Sequence, residues 1–271
     1  MSFRPWSRSF RSTDLRSHWN LTAGRVECLY GAPSTDVYER DEKLLFEKAF
    51  GDLRGKRLLK LDLWNEGRNT RILLWAAEQG AEVFGIDISD NVVRRAVESF
   101  SSSGVRAGLV LGDIRHLPYA DNSMDCIYSM GTIEHLPDPQ PPVDEVARVL
   151  RPGGRAIIGT PNKLDPFARP FLVAFLQALG KYPYAPERSY SFRQLSRMVK
   201  RAGLKVAGRG GVLFMPGSLR MLDLFIHLRM PALRPIAAAA VKPFARVTDV
   251  LPSLNRHGYL VAVIAEKIIG G

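Results

Sequence analysis

Cysteine is scarce in this chain, and clustered metal-binding side chains are missing. Only two of the 271 residues are cysteines, Cys28 and Cys126, and their spacing does not suit a metal site. Two cysteines cannot form a disulfide framework, and Cys126 lies in a predicted buried strand, so we expect free thiols and a cytoplasmic location. Because the histidines are scattered along the chain, no metal site is predicted.

Long apolar runs are absent as well. No stretch of about eighteen uncharged apolar residues occurs, so no membrane-spanning helix is predicted. The N-terminus lacks the apolar block of a secretory signal. Its first 26 residues carry five arginines and a single acid, Asp14. Organelle transit peptides share such a composition, but a basic flexible arm is the favoured interpretation.

Acidic residues are rare in the second half of the chain. Residues 151–271 carry 19 basic and 5 acidic side chains, whereas residues 1–150 carry 19 and 22. Such a surface attracts an anionic membrane or a phosphorylated or carboxylated substrate, and a plain basic surface stays open as an alternative. Nucleic acid is disfavoured, because no aromatic stacking motif or known nucleic-acid module accompanies the basic residues.

The length and composition predict one large domain. With 46% hydrophobic residues, the chain can bury a core of its own. We expect an N-terminal arm and helix in residues 1–50. The main domain would occupy residues 51–271, with lid insertions at about 163–189 and 212–257.

The most informative segment predicts a strand, a loop, a helix and a second strand. Residues 58–63 and 81–86 are short apolar runs, and residues 71–79 between them have helical spacing. In such a unit the ligand lies over the carboxyl ends of the strands. A carboxylate that ends the second strand is placed to accept hydrogen bonds from ribose hydroxyls. Asp87 holds that position.

Further strands and helices alternate downstream. Strands are predicted at 107–111, 124–129, 155–160, about 204–207 and 259–266, and helices at 91–100, 143–150 and 192–202. The segment 151–154, Arg-Pro-Gly-Gly, is predicted to be a turn between a helix and the fifth strand. This alternation predicts an α/β fold with a doubly wound, mostly parallel sheet.

The order of the motifs resembles the class I S-adenosylmethionine-dependent methyltransferases, especially the branch that acts on small molecules and lipids. The matching segments are VFGIDIS (83–89), LGDIRHLPYADNSMDCIYSMGTIEHLPDP (111–139), VARVLRPGGRAIIGTPN (146–162) and YSFRQLSRMVKRAGLKV (190–206). The resemblance implies a Rossmann-like sheet and S-adenosylmethionine as the cofactor.

The same resemblance implies roles for individual residues. Asp87 would bind the ribose diol, and Asp62 would anchor the first loop. The adenine would pack on Ile88, with Asp113 accepting from its amino group and Ile114 beside the ring. Met130 and Gly131 would line the floor beneath the methionine moiety.

Glycine is depleted in the first loop, where this chain departs from the family. The family's pattern of an acidic residue followed by three alternating glycines becomes Asp62-Leu-Trp-Asn-Glu-Gly-Arg-Asn, with Gly67 alone. Glycines there let the backbone approach the ligand closely, so Gly67 is predicted to contact the cofactor. Either Asn65, Glu66 or Asn69 side chains replace those backbone contacts, or the pocket has lost its ligand.

Glu134 and His135 follow the fourth predicted strand, where an acceptor would lie. A histidine titrates near neutral pH, so His135 can act as a general base, with Glu134 beside it. The alternative is that both residues only brace the following turn.

Two apolar segments interrupt the end of the domain. Residues 218–230 are nearly all apolar, with Arg220, Asp223 and His227 on one narrow stripe, and residues 167–179 carry three phenylalanines. Such segments can dock at a membrane interface, close over a lipid-like substrate, pair with a second subunit in a homodimer, or pack as core.

These observations favour transfer of a methyl group from S-adenosylmethionine to an apolar or lipid-like small-molecule acceptor, by a cytoplasmic enzyme that also meets membranes peripherally. The alternative is a methyltransferase-like protein that binds a nucleotide, a modified cofactor or nothing, and does not methylate. An NAD-dependent oxidoreductase is disfavoured, because its first turn needs glycines even more strictly.

Overall fold

The computed structural model describes residues 12–25, 27–180, 182 and 186–269. Residues 1–11 of the predicted basic arm lie outside the described residues, but residues 12–25 form a helix, so the prediction of a flexible arm is wrong for that part. None of the described helices is both long and apolar enough to span a bilayer.

A seven-stranded sheet forms the centre of the molecule. Its strands are β1 (Arg57–Lys60), β2 (Glu82–Asp87), β3 (Gly108–Leu111), β4 (Met124–Met130), β5 (Leu150–Pro161), β6 (Lys205–Val212) and β7 (Leu260–Glu266). They lie in the order β3-β2-β1-β4-β5-β7-β6, and β7 pairs antiparallel with both of its neighbours while the other pairs are parallel. The predicted doubly wound, mostly parallel α/β sheet is confirmed.

Helices cover both faces of the sheet. They are α1 (Ser12–Arg25), α2 (Pro33–Phe50), α3 (Ile72–Glu78), α4 (Asp90–Ser102), α5 (Gln140–Val149), α6 (Arg169–Ala178), α7 (Phe192–Arg201), α8 (Gly217–Arg229) and α9 (Arg234–Val250). Short 3₁₀ helices occupy Ile133–His135, Pro231–Leu233 and Pro252–His257. The central strand β4 is buried along its whole length, as a strand covered by helices on both faces must be.

Local sequence signals explain several helix starts. The Ser89 side chain accepts a hydrogen bond from the backbone N–H of Val92 and so caps α4. Ser191 and Gln194 form a reciprocal capping box at the start of α7. Both caps lie where helices were predicted to begin.

The structure corrects the prediction around residues 151–154. That segment is not a free turn, because β5 begins at Leu150 immediately after α5. Gly153 adopts a φ of 76° and donates its N–H to the Lys267 carbonyl, so the segment forms the irregular start of the strand beside the residue that follows β7. Pairing with the neighbouring strand overrides the local turn propensity of proline and glycine.

The N-terminal helices pack on the main domain. On α1, the Asn20 side chain accepts a hydrogen bond from Ser89 Oγ at 2.6 Å and donates one to Asp90 at 3.1 Å, so it ties α1 to the start of α4. On α2, a carboxylate oxygen of Asp41 accepts the N–H of Leu213 at 2.9 Å. Residues 12–50 therefore complete the helical layers of the same core.

Candidate active site

A cavity of about 360 Å³ follows the carboxyl ends of the parallel strands. Its walls include residues that follow β1, β2, β3, β4, β5 and β6, together with residues of α1, α6 and α8. The size lies within the range of roughly 300–1,000 Å³ that is usual for small-molecule sites. The carboxyl edge of an open α/β sheet is where such ligands bind.

Asp87 lies at the end of β2 and faces this cavity. One carboxylate oxygen accepts the N–H of Leu63 and the other that of Ser89, each at 2.9 Å. A carboxylate has about four lone-pair sites, so two stay available for the hydroxyls of a ribose. Burial raises the pKa of Asp87 to about 6, an effect that the two backbone hydrogen bonds only partly offset.

The turn after β3 supplies a second carboxylate. Asp113 lines the cavity between Gly112 and Ile114, and Ile88 lines it from the neighbouring strand. The Asp113 carboxylate forms a fork with the guanidinium of Arg115, with a shortest distance of 2.6 Å. Arg115 therefore holds the carboxylate in one orientation at the cavity wall.

Asp62 and the turn after β4 meet at the centre of the sheet edge. An oxygen of Asp62 accepts a hydrogen bond from Thr132 Oγ1 at 3.1 Å, and the other oxygen lies 2.9 Å from Lys60 Nζ. Met130 and Gly131 line the cavity next to them. Gly131 has a φ of 77°, a conformation that favours glycine and keeps a side chain out of this floor.

Gly67 does not reach the cavity, contrary to the prediction. A Cβ atom at Gly67 would lie 2.8 Å from Cβ of Arg95, so this glycine allows the loop to pack closely on α4. The family spacing identified a glycine in the loop but could not show which way the loop turns.

Glu66 also has a structural position rather than a place on the cavity wall. Its buried carboxylate accepts the backbone N–H of Leu73 at 3.1 Å and of Leu74 at 3.3 Å, and it lies 3.6 Å from Lys60 Nζ. These N–H groups belong to the first turn of α3, where an anion is stabilised by the helix dipole. The protein's own carboxylate therefore occupies this helix terminus.

Asn65 and Asn69 line the cavity, as does Trp64. Nδ2 of Asn69 donates to Oδ1 of Asn65 at 3.0 Å, and Oδ1 of Asn69 accepts from Thr35 Oγ1 at 3.0 Å. Side-chain amides thus stand where a glycine-rich loop would present backbone groups. Of the three predicted substitutes, Asn65 and Asn69 reach the cavity and Glu66 does not.

His135 and Glu134 line the cavity after β4. Nδ1 of His135 lies 3.1 Å from the Pro186 carbonyl, and a carbonyl only accepts, so Nδ1 carries the proton in this contact. In the neutral ring Nε2 is then the basic nitrogen, and it lies 3.8 Å from Oε1 of Glu134. Burial raises the pKa of Glu134 well above its usual range.

Further cavity residues come from elements whose docking the sequence did not reveal. Trp19 on α1 packs edge-to-face on Trp64, with ring centres 5.8 Å apart, and on His135, at 5.0 Å. On the other side, buried Arg169 pairs with Glu187 at 2.6 Å. The only sequence signal for these residues was the aromatic and arginine content of the arm and of the lid insertions.

Comparison with known proteins agrees with this geometry. A protein-family sequence model described as a methyltransferase domain matches residues 65–158. Methyltransferase GfsG of Streptomyces halstedii is 42% identical over 87 residues, which are 31% of each protein. The 27-O-demethylrifamycin SV methyltransferase of Amycolatopsis mediterranei is 35% identical over 154 residues, 52% of this chain and 56% of the relative.

A solved geranyl diphosphate methyltransferase, in complex with S-adenosylmethionine, has the same fold. Its TM-score is 0.58 at 15% identity, and the match covers 84% of both chains. Residues 65–158 of the chain are thus similar to a methyltransferase domain, and the fold is the one seen in this solved methyltransferase. The chain spans about a third of the length of the first curated relatives that it matches.

The residues of this methyltransferase domain fit S-adenosylmethionine, the cofactor of the superfamily. The Asp87 carboxylate at the end of β2 and the Asp113 carboxylate after β3 line the cavity, apolar side chains flank them, and Gly131 leaves the floor open. Oε2 of Glu134 is buried without a hydrogen-bond partner among the described residues, so a polar group in the cavity is left for a ligand to satisfy.

Proposed function

We propose that the protein transfers the methyl group of S-adenosylmethionine to an apolar, lipid-like small molecule. The main observation that supports this proposal is that the carboxylates of the cofactor end and the apolar inner faces of α6 and α8 line the same cavity. Leu172 and Val173 of α6 and Met221 and Leu224 of α8 line it together with Asp87 and Asp113.

Positioning is what this reaction requires most. The bound cofactor supplies a sulfonium methyl group that is already electrophilic. Asp87, Asp113 and Asp62 would hold the nucleoside and the amino-acid end, while Trp19 and the inner faces of α6 and α8 would exclude water. The methyl group would pass from this sulfonium to the acceptor, and the cofactor would remain as a neutral thioether.

His135 is the candidate base for an acceptor that carries a proton. Its Nδ1 proton is held by the Pro186 carbonyl, so Nε2 can receive the proton that the acceptor loses. Glu134 lies beside this nitrogen, with its Oε1 3.8 Å from Nε2 of His135.

Methyl transfer is tested by supplying S-adenosylmethionine labelled on the methyl group together with a panel of apolar phenols, quinols and prenyl alcohols. We expect labelled product from at least one class of acceptor and S-adenosylhomocysteine in equal amount. The second candidate function is a methyltransferase-like protein that does not methylate. It is supported by Trp64, Glu66 and Arg68, which stand where the family has glycines in the first loop. Tight S-adenosylhomocysteine binding without turnover of any acceptor would support this second candidate.

An anionic membrane surface is the proposed source of the acceptor. Helix α6 exposes Phe171 and Phe175 to solvent on its outer side, while Leu172 and Val173 of the same helix line the cavity. Helix α8 similarly exposes Leu222 and Phe225. The excess positive charge of residues 151–271 complements anionic phospholipids.

Substitution of both outer phenylalanines, Phe171→Ser with Phe175→Ser, should reduce binding to vesicles. We expect the unsubstituted protein to co-sediment with phosphatidylglycerol vesicles more than with phosphatidylcholine vesicles, and less at high salt. Val97→Ser on α4 is the matched control, because Val97 is also exposed but lies outside the cavity wall. Equal sedimentation of the double variant and the control would refute the membrane proposal.

A further inference from the structure

A buried arginine lines the part of the cavity between α6 and α8, which is the proposed acceptor half, and no carboxylate among the described residues pairs with it. Arg220 of α8 is only 7% exposed, and it lines the cavity together with Leu224, four residues further along the same helical face. Among the described residues, no carboxylate oxygen lies within ion-pair distance of its guanidinium. A buried charge without a counter-ion is costly, so such a site favours an anionic ligand.

The existing contacts of Arg220 use only part of its hydrogen-bonding capacity. Nη1 donates to the Ser34 carbonyl at 3.0 Å, with Ser34 Oγ at 3.4 Å. The guanidinium carbon lies 5.2 Å from the centre of the Tyr38 ring. A guanidinium has five N–H donors, and the described contacts leave the other nitrogens for a ligand.

Neighbouring charges do not neutralise Arg220. Asp223, one turn along α8, accepts the N–H of Ser34 at 2.8 Å and so caps the first turn of α2 instead. The other cavity arginine, Arg169, is already paired with Glu187 at 2.6 Å. Of these two cavity arginines, Arg220 is the one whose charge is not met by a carboxylate.

We propose that Arg220 binds an anionic oxygen group, a carboxylate or phosphate, on the apolar molecule that occupies the acceptor half of the cavity. This inference rests on the proposed function for the identity of the site, and it adds the chemical class of the acceptor. The planar guanidinium matches the two oxygens of either anion. The apolar side chains of Met221 and Leu224 on the same helix would contact the body of the ligand.

Calorimetry with laurate, dodecyl phosphate and dodecanol tests the site, with the full chain and with S-adenosylhomocysteine present and absent. We expect at least one anion to bind about tenfold more tightly than the alcohol of equal chain length. The relative affinity of laurate and dodecyl phosphate then tells which anion is preferred. Equal affinity for all three ligands would overturn the inference.

Two variants separate anion binding from a structural role. Arg220→Gln keeps a donor for the Ser34 carbonyl, so we expect it to lose the preference for the anion while its affinity for dodecanol stays within about twofold. Arg220→Lys keeps the charge without the planar fork and should retain part of the preference. If Arg220→Gln binds none of the ligands, the test rests on Arg220→Lys. Equal affinities of the Arg220→Lys variant for laurate and dodecanol would then contradict the proposal.

Binding of S-adenosylhomocysteine tests the proposed methyltransferase function separately from the preference for an anion. S-adenosylhomocysteine binding with no preference for an anion would remove the role of Arg220 and leave the proposed activity intact. Preference for an anion in a protein that does not bind S-adenosylhomocysteine would retain the anion site and remove the proposed activity.

Discussion

Replacing Asp87 by alanine is expected to weaken the binding of S-adenosylhomocysteine by about a hundredfold or more, since two hydrogen bonds to a charged group are lost. The carboxylate is the only acidic side chain at the end of β2, and its spare lone pairs face the cavity. Calorimetry measures the loss directly. The substitution also frees the N–H groups of Leu63 and Ser89, so circular dichroism must show that the fold persists.

The control for this variant is Asp121→Ala. Asp121 is an exposed carboxylate that pairs with Arg148 at 2.7 Å, outside the cavity wall. The two substitutions remove the same charge, so a general electrostatic effect would appear in both. If Asp87→Ala binds S-adenosylhomocysteine as tightly as Asp121→Ala does, Asp87 does not hold the ribose.

The same carboxylate predicts how the affinity depends on pH. Burial raises the pKa of Asp87 to about 6, and only the ionised carboxylate can accept from both ribose hydroxyls. The affinity should therefore be full above that pH and should fall as the pH is lowered through it. This pH dependence of the affinity should disappear in Asp87→Ala, which has no carboxylate at position 87 to protonate.

Replacing Glu66 by alanine is expected to lower the free energy of unfolding by about 3–5 kcal/mol, the usual cost of breaking a buried ion pair. Lys60 is fully buried and would keep only Asp62 as a counter-ion. The N–H groups of Leu73 and Leu74 would lose their acceptor at the start of α3. Urea denaturation followed by circular dichroism measures the change.

Two further variants show which part of Glu66 matters. Glu66→Gln keeps an oxygen for the helix terminus but removes the charge opposite Lys60, so its loss should be smaller than that of Glu66→Ala. Glu82→Ala removes a mostly exposed partner of Arg57 and should change stability by no more than about 1 kcal/mol. A similar loss for Glu66→Ala and Glu82→Ala would mean that the buried contacts contribute little.

The sequence predicted the sheet and one half of the site for the same reason. Asp87 and Asp113 directly follow strands, and parallel strands bring their carboxyl ends to one edge. Two apolar runs separated by a helix were therefore enough to place Asp87, and the third predicted strand with the family resemblance placed Asp113.

The other half of the site depends on contacts between distant segments. Trp19 reaches the cavity because Asn20 fixes α1 on α4, and Arg220 reaches it because Ser34 holds α8 against α2. Apolar spacing shows that such helices bury a face, but it does not show against what. Gly67 was misplaced on similar grounds, because its close contact with Arg95 depends on how the loop packs on α4.

The carboxylate of Glu66 at the first turn of α3 changes what the cavity can select. Amide groups at a helix terminus are well suited to an incoming anion, but here a resident side chain already satisfies two of them. The α-carboxylate of a bound ligand therefore gains no hydrogen bond from these two N–H groups of α3. The selectivity of the cavity among ligands then depends more on the sugar and the base. Recognition of the amino-acid tail is thereby left to Asp62 and to the amide side chains of Asn65 and Asn69, which line the cavity.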